Sequence, residues 1–229
     1  MKDIIIAIAT KASKETFKER PIWSSLSAFY DRKSLWTSTD NRVIIFYENK
    51  KGLSEVYNSL ITEENKNKII LFVHDDVVLE DIFLYEKLNK AITKYDIVGL
   101  AGAVTCRVDA EHPAWHLMAD RSDYVGEVAH CDKNGKVWTT VFGPTESRAL
   151  VIDGLFIAVN VSRALETGWR FDSDFSFHFY DISSCLLAYR KKMKVGVTPI
   201  RVVHHGLGDS MNTQAWRDGA VKFKEKWDN

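Results

Sequence analysis

The sequence predicts an α/β fold, with a mainly parallel central sheet flanked by helices, and three observations carry that expectation. Residues 4–9 (IIIAIA), 43–47 (VIIFY) and the apolar part of 69–80 (IILFVHDDVVLE) are runs without polar alternation, as expected of strands covered on both faces. Between the second and third of these, Leu53, Val56, Tyr57, Leu60 and Ile61 repeat at helical spacing, and beyond the third Leu84, Leu88, Ala91, Ile92 and Tyr95 do the same. Strand and helix patterns therefore alternate, which is the signature of βαβ units.

The stretch 69–80 organises the chain. Its apolar run stops at His74, Asp75 and Asp76, and in open α/β sheets ligands bind at the carboxyl ends of strands. Two neighbouring carboxylates at such a rim repel one another, and a divalent cation or a proton relieves them. The same pair also reads as a plain turn, with Asp81 as an alternative cap for the following helix.

The first apolar run places residues 10–14 at another strand end. From there to Asn41, Trp23, Leu26, Phe29, Tyr30 and Trp36 follow no clean period, and short helices are expected. The second run ends in Glu48 and Asn49, while Asn58 lies off the apolar stripe of its helix. Asp96 leads into a strand reading IVGLAG. Residues 103–149 break the rhythm with Pro113, Trp115, the polar cluster DRSD and a hairpin whose arms EVAHC and KVWTTV flank Asp132–Gly135, which suggests an inserted lid or hairpin lobe. In this lobe Glu111, His112 and His116 lack HExxH spacing, and a lid contact suits them better than a second metal site.

Regularity returns with LVIDGLFIAVN, a strand containing Asp153 and Gly154, and with a short helix ending at Gly168. An aromatic and acidic segment, WRFDSDFSFHFYD, precedes a helix with Ile182, Cys185, Leu186 and Tyr189 on one face. KVGVTPIRVVHH is the last strand, GLGDS a turn, and Trp216, Ala220, Phe223 and Trp227 the packed stripe of a terminal helix.

Composition narrows the function classes. The 229 residues are 45% hydrophobic and 27% charged, enough for one sizeable core. Thirty-one basic residues balance 31 acidic ones, so no global field points to nucleic acid or an anionic membrane, and any phosphate recognition is local. Three cysteines without CxxC spacing argue against a disulfide framework or a zinc ribbon and fit a reducing cytoplasm. No stretch is long enough to span a bilayer, so any work at a membrane is expected to be peripheral or through a partner.

Acidic and histidine side chains thus gather at strand ends: Asp75 with Asp76, Asp181 at a helix start, and His204 with His205. A carboxylate pair with a histidine suits Mn²⁺ or Mg²⁺, and a separate carboxylate, Asp181, suits a general base. Asp181 also reads as a helix N-cap, and the histidines as one buried and one exposed imidazole without a metal.

The order HDDVVL, VIDGLFIAV, FDSDFSFHFYDISSCLLAYRKKMKVGV and PIRVVHHGLGDS resembles the family-two nucleotide-sugar glycosyltransferases of GT-A fold, in particular a bacterial branch related to the streptomycin-biosynthesis glycosyltransferase-like domain. The resemblance runs from Ile4 to about Ser210. It implies one domain: a nucleotide-binding half (1–102), an acceptor and catalytic half (103–210) and a C-terminal helix (211–229). It implies Asp76 as metal ligand with His204 or His205, the spacing to Gly208 and Ser210 slightly favouring His205. Asp75 is implied beside the ribose or pyrophosphate, Glu48 at the nucleoside with Asn58 shaping that pocket, Asp153 and Gly154 under the sugar and acceptor, and Asp181 as the base of an inverting displacement. A nucleoside-diphosphate sugar as donor and a hydroxyl acceptor (glycan, lipid-linked or small molecule) follow.

Departures accompany the likeness. Ser183 stands where many relatives carry a second acid, which raises the alternative of an inactive sugar- or nucleotide-binding module. Gln214–Arg217 is not the QxxRW of processive members, and no glycine-rich loop of a nucleotidyltransferase follows the first strand. His74 reads as a spacer.

Overall fold

The computed structural model describes residues 1–31, 42–109, 112–206 and 213–228. Trp36, Glu111, Gly208, Ser210 and Met211 lie outside them, as do the side chains of Phe29 and Tyr30. In chain order the elements are β1 (Ile4–Ala9), α1 (Ile22–Asp31), β2 (Arg42–Phe46), α2 (Leu53–Asn58), β3 (Ile69–Val73), β4 (Val77–Leu79), α3 (Leu84–Ala91), β5 (Ile97–Gly99), β6 (Ala101–Ala103), β7 (Tyr124–Cys131), β8 (Val137–Val141), β9 (Ser147–Ala149), β10 (Val151–Ile152), β11 (Phe156–Asn160), α4 (Val161–Thr167), α5 (Tyr180–Arg190), β12 (Val195–Val197), β13 (Val202–His204) and α6 (Gln214–Trp227).

Among the described residues a seven-stranded sheet runs in the order β2-β1-β3-β11-β5-β12-β9. β1 pairs in parallel with β2 and β3, and β5 with β12. The sheet is nevertheless mixed: β11 runs antiparallel between β3 and β5, and β9 antiparallel to β12. β1, β3 and β11 carry the centre of the core, with Ile5, Ile6, Leu71, Phe72 and Phe156 fully buried.

Four stretches that look continuous in sequence are each broken into two strands. The break after β3 is the turn His74–Asp76, and the break between β10 and β11 is the Asp153 turn; the others separate β5 from β6 and β12 from β13. After each break the chain joins a second sheet, β10-β6-β7-β13-β4, or leaves it. Polar turns therefore gather along one seam between the sheets.

The β7–β8 hairpin forms as expected, turning at Gly135 with φ +81°. Its inner strand is also a full member of the second sheet, parallel to β13 and antiparallel to β6. On α5 the stripe Ile182, Cys185 and Leu186 is buried, but Tyr189 is exposed. The terminal stripe behaves as expected: Trp216, Ala220, Phe223 and Trp227 are buried against Phe175 and Phe179. Gly168 closes α4 in the left-handed region, at φ +64°.

Candidate active site

The turn after β3 is clamped from three sides. The His74 backbone N–H donates to the Leu155 carbonyl, the Ile22 N–H at the start of α1 donates to the Asp75 carbonyl, and the His205 N–H donates to the Asp76 carbonyl. With its backbone fixed this way, the three side chains point to different partners.

Asp75 is held by Arg20 in a two-pronged ion pair, both N–O distances 2.8 Å, and accepts a further hydrogen bond from the Thr10 hydroxyl. Arg20 was not singled out in the sequence, and Thr10 only as a strand-end residue, since they lie 55 and 65 residues away. They answer part of the repulsion argument: Asp75 has its own counter-charge, so the acidic pair by itself does not call for a metal.

Asp76 differs. Its Oδ1 is buried with no hydrogen-bond partner, and its Oδ2 lies 3.5 Å from His204 Nε2. Burial alone would raise its pKa, but the hydrogen bond and charge of His204 and the charge of His74 outweigh burial and hold the carboxyl below its usual value. His204 is the mirror case: burial pulls its pKa down, and Asp76 more than reverses this. A Cβ on Gly206 would stand 2.4 Å from His204 Nε2 and 2.7 Å from Asp76 Oδ2, so the missing side chain keeps a small cradle open between the two groups. Asp76 Oδ2 and an imidazole nitrogen face one gap while the carboxylate's other oxygen is unpartnered, a donor set suited to Mn²⁺ or Mg²⁺. Among the described residues no three His, Cys, Asp or Glu side chains cluster as a closed metal site; this is a two-ligand face. His205, which the spacing slightly favoured, is exposed and meets Asp76 through its backbone. Successive residues of a strand point to opposite sides, so only one of the two imidazoles turns inward.

His74 is more than a spacer. It is partly buried, its Nε2 lies 3.2 Å from Tyr180 Oη, and burial lowers its pKa. Tyr180 in turn donates to the Gly154 carbonyl at 2.7 Å. This chain of contacts ties the Asp76 turn to the first turn of α5, where Asp181 sits. Phe179, just before α5, has φ +64°, and Glu48 has φ +47°; non-glycine residues in this region cost roughly 1–3 kcal/mol and tend to cluster at functional sites.

Burial, then the charge of Asp153, pushes the Asp181 carboxyl up to about 7, against the pull of backbone N–H groups including that of Gly154. Asp153 is fixed by two donors, Trp115 Nε1 at 2.9 Å and the Leu155 N–H at 3.0 Å. Gly154 itself is buried: a Cβ there would meet Tyr180 Oη at 2.8 Å and Asp181 Oδ2 at 3.1 Å. Its smallness is thus used by the protein's own α5, not by a ligand. Asn58 is likewise drawn away, its carboxamide bridging the backbone N–H and carbonyl of Phe171, both at 2.8 Å.

A cavity of about 830 Å³ opens beside the turn. Thr10, Arg20, His74, Asp75 and Asp76 form one wall, Glu48 with Lys11, Lys50 and Lys51 another, and Phe177 stands at the edge. The lysines provide the local positive charge that a neutral chain needs in order to bind an anion; the KASK and NKKG tracts were the signal for them. A second cavity, about 340 Å³, is walled by Asp153, His204 and the aromatic side of the β7–β8 hairpin. Ser183 belongs to neither cavity. It is fully buried, donating to Asp172 and accepting from Trp227 Nε1, so its lack of a carboxylate takes nothing from either cavity wall.

The profile of the glycosyltransferase-like family matches residues 35–226. No curated protein sequence matches the chain. Among solved structures it is similar to protein A197 from STIV, at 13% identity over 89% of this chain and 86% of the other, with a TM-score of 0.53. It is also similar to GalNAc-T7 in complex with UDP, GalNAc and Mn²⁺, at 13% identity over 99% of this chain and 48% of the other, with a TM-score of 0.55. With a profile match over most of its length and a GT-A arrangement of sheet and helices around the Asp76 turn, the chain belongs to the glycosyltransferase-like family.

Proposed function

We propose that the protein is an inverting nucleotide-sugar glycosyltransferase that works with Mn²⁺ or Mg²⁺ and transfers a hexosyl group to a hydroxyl acceptor. The observation that carries this reading is the Asp76 carboxylate: its Oδ1 is buried without a hydrogen-bond partner, its Oδ2 faces His204 Nε2 beside the cradle at Gly206, and the residue lines the cavity that holds Lys11, Lys50 and Lys51. The similar GalNAc-T7 structure contains UDP and Mn²⁺, which supports the same ligand pair here. Three free cysteines, and no described helix long and apolar enough to cross a membrane, accord with work in a reducing cytoplasm.

Asp76 and His204 would hold the cation, which when bound supplies positive charge to a diphosphate leaving group. The chain's own residues do the rest. Lys11, Lys50 and Lys51 draw the phosphates into the larger cavity. Asp75, pinned by Arg20 and Thr10, and Glu48 present carboxylate oxygens to ribose and base hydroxyl or N–H groups. Asp181 accepts the acceptor's proton. Asp153 is engaged by Trp115 and Leu155, which leaves Asp181 as the carboxylate free for chemistry and favours one displacement with inversion over a two-step route.

The test is calorimetric titration with UDP, GDP and dTDP with and without Mn²⁺, together with turnover of the matching sugar donors. Metal-dependent binding that is lost in Asp76→Asn, and turnover lost in Asp181→Asn with binding kept, are the expected results. No nucleotide binding under any metal condition overturns the reading.

A further inference from the structure

The smaller cavity has walls of two kinds. Register sets His130 opposite Trp138 and Val128 opposite Thr140 across the β7–β8 hairpin, and strand alternation turns these four to the cavity face. Trp115, 6% exposed, is packed edge-on against Tyr124 and Phe142, and its N–H is committed to Asp153; it is fixed floor. Trp138 is 41% exposed and stacks on His130 with an interplanar angle of 27° and centroids 5.6 Å apart. Its ring is thus oriented by a neighbour while much of it remains open to solvent at the cavity's edge.

The end nearest the Asp76 turn carries Asp153 and His204, with Thr140 and His130 along the side. An oriented aromatic face beside convergent polar groups suits a ligand with one C–H face and a belt of hydroxyls. At about 340 Å³ the space is at the small end of ligand pockets, roughly 300–1,000 Å³. A long acyl chain would instead need an extended apolar groove, whereas this small cavity includes a carboxylate and two imidazoles in its lining.

The geometry points to an acceptor subsite for a pyranose ring stacked on Trp138, so that the acceptor is a carbohydrate and not a lipid alcohol or a hydroxyl amino acid. This rests on the transferase reading above. In the step it serves, an acceptor oxygen bonds to the anomeric carbon of the donor. The bond from that carbon to the phosphate oxygen breaks, its electron pair leaves on the nucleoside diphosphate, and the acceptor proton passes to Asp181.

The experiment is saturation-transfer NMR on the full chain with UDP and Mn²⁺ present. The probes are methyl glucoside, galactoside, mannoside and N-acetylglucosaminide, with n-octanol and N-acetylserinamide as non-carbohydrate hydroxyls. At least one pyranoside is expected to bind, its ring C–H protons most saturated, and Trp138→Ala to weaken it by about tenfold. Trp138→Phe should restore most of the binding, and Val141→Ala, an exposed residue on the other face of the same strand, should bind as wild type. UDP–Mn²⁺ affinity, measured separately, checks that the Trp138→Ala protein is folded. If UDP–Mn²⁺ binds but no pyranoside does, or if pyranoside binding ignores Trp138→Ala, the subsite is wrong while the transferase reading stands. If Trp138→Ala weakens a UDP-sugar relative to UDP and leaves pyranosides alone, the cavity holds the donor sugar and the inference fails. Loss of UDP–Mn²⁺ binding in the wild type overturns both.

Discussion

Trp115 Nε1 donates a 2.9 Å hydrogen bond to Asp153 Oδ2, which fixes the Asp153 carboxylate where its charge acts on Asp181. With burial as the larger cause and Asp153 as the second, Asp181 titrates at about 7. A base must be deprotonated to act, so kcat/KM for transfer should rise through about pH 7 and level off above it. Asp153→Asn removes the like charge and should move that limb to lower pH. The pH profile of kcat/KM in both proteins decides; an unmoved limb in Asp153→Asn would show that the charge of Asp153 does not set it.

The same shift bears on stability with the opposite sense. The folded-state pKa of Asp181 is above the value of 3.8 expected for an unperturbed Asp, so between the two values the native state holds more protons than the unfolded chain, and stability falls as pH rises through that window. The ceiling is about 4 kcal/mol for some three pKa units, and partial solvent contact of Asp181 reduces the expected loss to roughly 1–2 kcal/mol. Asp181→Asn should therefore be more stable than wild type at pH 8 and lose that advantage at pH 4. Urea denaturation at both pH values measures it.

The two histidines separate cleanly. His204 faces Asp76 at 3.5 Å, whereas His205 is exposed and engages Asp76 by its backbone N–H. His204→Ala is expected to weaken Mn²⁺-dependent UDP binding by at least about tenfold, and His205→Ala by no more than about twofold. Titration calorimetry at fixed Mn²⁺ reads the difference, and equal effects would remove His204 from the metal face.

The apolar runs at β1 and β3 were legible because burial on both faces leaves no polar residue to confuse the period, and the stripe of α6 was legible for the opposite reason, since one buried face alternates with charged residues at helical spacing. The antiparallel course of β11 was not, since hydrophobic pattern reports burial and not direction. Nor were the breaks at Asp153 and at residues 198–201 visible, because the strands on either side are equally apolar. In the site, Asp76 and Asp181 could be found from their places at a strand end and a helix start. Arg20 could not, and although Thr10 stood at a strand end and Trp115 in the inserted lobe, their pairings could not be read, because the partners are 38 to 65 residues away in sequence and nothing local marks them. Ser183 could have been read better: two residues past Asp181 on a helix, it lies on a different face, and so is poorly placed to act beside that carboxylate.

That buried Ser183 leads to the last expectation. Asp172, 5% exposed, accepts from Ser183 and is paired with Lys226 of α6 at 2.7 Å, while Trp227 Nε1 donates to Ser183 at 2.9 Å and Arg190 of α5 lies over the Trp227 ring. Burial lowers the Lys226 pKa and its two carboxylate partners, Asp172 and Asp174, more than restore it. The terminal helix is thus fastened to the helix that carries Asp181 through a buried carboxylate. Lys226→Met leaves Asp172 without its counter-charge and should cost roughly 1–3 kcal/mol. Adding Asp172→Asn removes the stranded charge and should recover part of that loss, so the double variant should be more stable than the sum of the single losses requires. Strict additivity in a double-mutant cycle by urea denaturation would mean that the pair does not hold α6 in place, and that the aromatic packing of Phe223 and Trp227 does so alone.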